Sequence, residues 1–198
     1  MPEFLLLFLW PIYSLAKMIT LKQLILSEHS KAQALLIADI VRQKPELLQE
    51  LIAYTFANEE PLSRRAAWPL RILHEQYPEL FEFQIEYFIE SLKKNKADQA
   101  VLRNILAILS KADIAEENKS FLLDFAISTL LDPSSSIAVI AYATDLFVNI
   151  AHNELILLQE LLLILSQLEN KNSNGIFAKI RQVKRIADKL ENTQRNFD

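Results

Sequence analysis

From Ser30 onward the apolar residues recur three and four positions apart rather than alternately. Ala34, Ile37, Ala38 and Val41 form one such series, and Leu47, Leu48, Leu51, Ile52 and Phe56 form the next. This is the spacing of a helix with one buried face, so two amphipathic helices are predicted in succession. Ser30, with Gln33 three positions on, reads as a capping box that opens the first helix. Pro45 stands where the second begins, at a position that tolerates a missing N–H. The same plan returns three times. Ala66, Ala67, Leu70 and Leu73 are followed, after Pro78, by Leu80, Phe81, Ile85, Phe88, Ile89 and Leu92. Val101, Leu102, Ile105, Leu106 and Leu109 precede Phe121, Leu122, Phe125 and Leu130, with Asp113 to Glu116 as the expected cap between them. Ile137, Ile140, Ala141, Thr144, Phe147 and Val148 precede a run from Leu155 to Leu168, and Asp132 to Ser136 supplies a turn and a cap. That last run, ELILLQELLLILSQLE, is apolar nearly all round and is expected to be covered on several sides. After an Asn172–Gly175 turn, Ile176, Ile180, Val183, Ala187 and Leu190 mark a final helix.

Two of the second helices are also alike in sequence. PELLQELIAY, from Pro45, and PELFEFQIEY, from Pro78, share proline, Glu, Leu, Ile and Tyr at an offset of 33 residues. A fixed period of this length signals stacked supersecondary units. The succession resembles HEAT-repeat proteins from about Ser30 to Leu190, roughly four and a half hairpins. The resemblance implies an all-α fold, a right-handed α-α superhelix of stacked antiparallel helical hairpins of the HEAT/ARM-like type. Pro69, in SRRAAWPLRIL, matches the proline that often bends the first helix of a unit and is expected to kink it. The regular Asp and Arg positions of clear family members are absent. The expected organisation is an apolar N-terminal segment and lead-in over 1–29, a repeat domain over 30–191 and a tail over 192–198.

Composition narrows the function classes. A chain of 198 residues, 51% of them hydrophobic, is long enough for one domain with a substantial core. A net charge of −4 and a pI near 5.5 speak against a protein devoted to the phosphate backbone, although not against one local basic patch. The chain has no Cys, which removes disulfides, thiolate zinc sites and cysteine nucleophiles, and a cytoplasmic location fits best. Its only glycine is Gly175, so no glycine-rich phosphate loop is available and helices with short polar turns are favoured over β-hairpins. Met1 to Lys17 contains an apolar run, Phe4 to Trp10, that is too short to span a bilayer. Three readings of it stand: a helix docked on the first hairpin, a signal peptide cleaved near Ser14-Leu15-Ala16, or residues ahead of a true start at Met18. Glu3, with no Lys or Arg before the run, weighs against the signal peptide.

No catalytic, cofactor-binding or metal-binding residue is assigned. His29, His74 and His152 fall on separate hairpins without ligands at metal-binding spacing, and are expected to be surface or satisfied residues. His74-Glu75 is similar to the pairs of HEAT-repeat iron hydroxylases, which need several of them. No Ser or Thr has a local reason to be activated as a nucleophile.

Two surfaces remain. Lys179, Arg181, Lys184, Arg185 and Lys189 make a basic cluster on the last helix, suited either to an anionic partner or to the polar outer face of a capping helix. Glu50, Tyr54, Glu82, Glu86, Tyr87 and Glu90 occupy non-core positions of second helices. The resemblance implies that second helices line the concave side, which would set Tyr54 and Tyr87 in register among carboxylates to receive a basic protein or peptide. The reading is a non-enzymatic protein-protein interaction or scaffold module that binds through its concave surface. The alternative is a nucleic-acid-associated protein resembling the DNA alkylation-repair glycosylases, favoured by Trp68, Arg103 and the basic last helix.

Overall fold

The computed structural model describes residues 20–94 and 97–195. The expectations for Met1 to Lys17 lie outside these residues. Within them the chain forms α1 (Leu21–Ser27), α2 (Lys31–Gln43), α3 (Leu48–Thr55), α4 (Leu62–Gln76), α5 (Ile85–Lys94), α6 (Gln99–Leu109), α7 (Glu116–Leu131), α8 (Ile137–Ala151), α9 (Leu155–Gln167) and α10 (Asn174–Arg195), with no strand among the described residues. The fold is all-α, as the periodicity predicts.

Local chemistry sets the helix ends. The Thr20 hydroxyl accepts from the Gln23 N–H while the Gln23 side chain accepts from the Thr20 N–H, a complete capping box that opens α1. At α2 only half of the predicted box forms. Ser30 accepts from the Gln33 N–H at 3.1 Å, but the Gln33 amide reaches back to the Leu24 carbonyl at 2.7 Å and ties α2 to α1. Pro45 and Pro78 each open a short 3-10 turn ahead of the second helix. Ser136 caps α8, accepting from the Val139 N–H. The expected cap at Asp113 is absent, since α7 starts after Ala115 with no side-chain cap. At the last turn Asn172, not glycine, takes the left-handed conformation, with φ 45°, and Gly175 lies within the first turn of α10. Pro69 is buried inside α4, which runs through it from Leu62 to Gln76.

The helices form two rows. The first helices α2, α4, α6, α8 and α10 pack directly on one another in order. The second helices touch each other little, and α3, α7 and α9 rest chiefly on the first helix that follows. Phe81, Phe88 and Phe147 are among the largest fully buried side chains between the rows. Polar bonds at nearly the repeat spacing join neighbouring units: Gln49 to Gln84 at 2.8 Å, Asn118 to Glu86 at 2.7 Å, Asn149 to the Ala112 carbonyl at 2.9 Å. Each unit buries an apolar face against its neighbours, the logic of a solenoid.

A bent stack of helices draws its inner row together and splays its outer row. The close first-helix row is therefore the inside of the curve. Arg71 on α4 donates to the Tyr142 hydroxyl on α8 at 3.0 Å although α6 lies between those helices in the row, which agrees with that bend. The concave face is built by first helices, and the expectation that second helices line it is corrected.

Candidate interaction groove

The acidic second-helix residues lie on the splayed row, and most of their carboxylates already have partners. The Tyr54 hydroxyl donates to Glu50 at 2.5 Å, and that bond, followed by burial, pushes the Tyr54 phenol up to about 12. Glu86 accepts from Asn118, and Glu90 faces Lys93 at 2.7 Å and Lys94 at 3.9 Å, with the Lys93 bond holding Glu90 below the usual carboxylate range. Glu82 is exposed in the turn before α5. Tyr54 and Tyr87 are not structural twins. Tyr54 falls near the end of α3 and is half-buried, whereas Tyr87 falls at the start of α5, 46% exposed, with its ring edge-on to Phe56 at 6.0 Å. The two helices begin at different points of the shared sequence, so a 33-residue offset in sequence is not an equivalence in space.

The basic cluster on α10 divides. Lys179 turns inward to Asp145 at 2.5 Å and Gln182 at 3.1 Å, while Arg181, Lys184, Arg185 and Lys189 are exposed.

On the concave face a groove of about 620 Å³ is lined by His29, Arg64, Trp68, Arg71, Ala100, Arg103, Ala138 and Tyr142. Arg64, Trp68 and Arg71 are one turn apart on α4, and Ala100 with Arg103, and Ala138 with Tyr142, repeat that step on α6 and α8. The alanines leave the recess, and the long side chains stand around it. His29, from the α1–α2 connection, meets the Trp68 ring edge-on at 5.7 Å. Arg64 lies 3.5 Å from Glu60 and 3.7 Å from Asp98. Arg71 lies 3.6 Å from Glu75, and its buried Nε has no hydrogen-bond partner among the described residues. Arg103 is exposed and has neither an ion pair nor a hydrogen bond among the described residues. Trp68 and Arg103 were legible in the sequence as site candidates, whereas Arg64, Arg71 and Tyr142 were not. The missed signal is the i, i+4, i+7 placement of Arg64, Trp68 and Arg71 on the polar side of one first helix.

His74 is neither a surface nor a satisfied residue. It is 5% exposed, packs edge-on against Phe81 at 5.0 Å, and its Nδ1 has no hydrogen-bond partner among the described residues. Burial, with help from Lys111, lowers its pKa. Glu75 is held by Arg71 and Lys111. No group of three or more His, Cys, Asp or Glu among the described residues is placed to hold a metal ion.

Stacked hairpins, a continuous core between two helix rows and a lined concave face define a helical-repeat solenoid. The chain belongs to the HEAT repeat family: the family model for the HEAT repeat domain matches residues 21–187. The matched span begins at α1, ahead of Ser30. No curated protein and no solved structure matches the chain. No helix among the described residues is long and apolar enough to cross a membrane.

Proposed function

We propose that this chain is a non-enzymatic interaction module that scaffolds a protein partner by holding part of it in the concave groove. HEAT repeats are an interaction fold, and the observation that carries the reading is the groove itself. Three successive first helices contribute Trp68, Arg103 and Tyr142 to one recess, large aromatic surface beside a cation, which is the composition that anchors protein interfaces. The acidic second-helix stripe has less in its favour, because Glu50, Glu86 and Glu90 already have partners within the chain.

A photo-crosslinking residue placed at position 103 or, separately, at position 87 tests the reading in native extract. Protein adducts from position 103 support the groove. Adducts from position 87 alone assign the partner to the second-helix row instead.

The nucleic-acid alternative draws on Trp68 and Arg103, which do share the groove, but Arg64 and Arg71 there face carboxylates. A polyanion requires several cations free to replace its counterions. Absence of binding to single- or double-stranded DNA and to RNA at low salt eliminates it, whereas binding that falls steeply as salt rises establishes it.

A further inference from the structure

We infer that the groove is selective for an acidic segment of a protein partner, with Arg103 receiving an Asp or Glu carboxylate while Trp68 and Tyr142 hold an adjacent aromatic or long apolar side chain. This rests on the reading of the groove as a partner site and adds its specificity.

The charge pattern supports one carboxylate rather than a run of phosphates. Of the three arginines in the groove, Arg64 is offset by Glu60 and Asp98 and Arg71 by Glu75. Arg103, on the middle helix of the three, is the uncompensated charge. A guanidinium presents paired donors in a plane that matches a carboxylate, and such pairs exceed neutral hydrogen bonds in strength. The rim carboxylates repel a chain of phosphates laid along the groove, whereas a single acidic side chain reaches Arg103 between them. Arg71 is already held by Tyr142, so its guanidinium stands at the recess in a set orientation. That lowers the ordering cost of binding. Alanine at 100 and 138 leaves room for a side chain next to the Trp68 and Tyr142 rings. The groove, about 620 Å³, has room for such side chains.

The test pans a random 12-residue peptide library on the full chain, in parallel with Arg103→Glu and Trp68→Ala variants whose helical circular dichroism and melting match the wild type. The expected result is enrichment of Asp or Glu next to an aromatic or long apolar residue. The selected peptides should bind Arg103→Glu roughly tenfold or more weakly, the scale of a lost charged hydrogen bond. Replacing their acidic residue with Lys should abolish binding to the wild type and restore binding to Arg103→Glu. The inference is overturned by selected peptides that are neutral or basic, by equal binding to Arg103→Glu, or by a 20-nucleotide single-stranded DNA that displaces the peptides at lower concentration than the peptides themselves. A crosslink from position 103 to a protein, combined with neutral selected peptides, would sink the acidic specificity and leave the groove as the partner site.

Discussion

The Arg71 guanidinium and the Tyr142 hydroxyl, 71 positions apart in the chain, meet at 3.0 Å across the inner row of helices. The bond joins units that are not neighbours and fixes the groove's wall. Tyr142→Phe removes the acceptor from an arginine whose Nε already lacks a hydrogen-bond partner. The expected cost is about 1 kcal/mol, or a fall in melting temperature of about 2–4 °C. A double-mutant cycle with Arg71→Met decides the matter: strictly additive losses would show that the two side chains do not interact.

His74 links stability to pH. Burial lowers its folded-state pKa below the unfolded value of 6.5, so on acidification the unfolded chain takes up a proton that the folded chain resists. Its contribution is complete above pH 6.5 and is lost as pH falls below that value toward the folded pKa. Melting temperature is expected to drop between pH 7.5 and pH 5.5, and His74→Phe to flatten that slope whatever its own effect on stability. An unchanged slope in the variant would place the pH dependence elsewhere.

Tyr54 should resist ionisation. With its pKa near 12, set first by the bond to Glu50, it should be the late tyrosine in an alkaline titration followed at 295 nm. Glu50→Gln takes away the carboxylate that holds the proton and should bring Tyr54 down toward 10.0. A titration curve identical to that of the wild type refutes the assignment.

Three consecutive leucines of α9 should respond differently to the same change. Leu161 is fully buried, Leu162 half-buried and Leu163 67% exposed. Leu161→Asp puts an unpaired carboxylate in the core, a loss of several kcal/mol from a total of about 5–15, and should prevent soluble folding. Leu163→Asp should leave melting within a degree or two of the wild type, since exposed substitutions usually stay within about 0.5 kcal/mol. Equal behaviour of the two variants in a thermal melt would contradict the orientation of α9.

The residues decided much of this protein by themselves. Periodicity located the helices because each must bury one face, and Pro45, Pro78 and Ser136 marked where helices begin because their backbone requirements are local. The family too was legible in that succession of hairpins. Other features depended on which elements came together. The run from Leu155 to Leu168 reads as apolar all round, yet Ile156 is 79% exposed and Leu163 faces outward, because the end of the stack offers α9 fewer neighbours. His74 looks polar in sequence and becomes a buried, unpartnered ring once Phe81 closes over it. Above all, curvature is a property of the stack: no single hairpin records which row will be drawn together. Close packing of the first helices put Arg64, Trp68, Arg71, Arg103 and Tyr142 around one groove and left the acidic tyrosine stripe on the outer row.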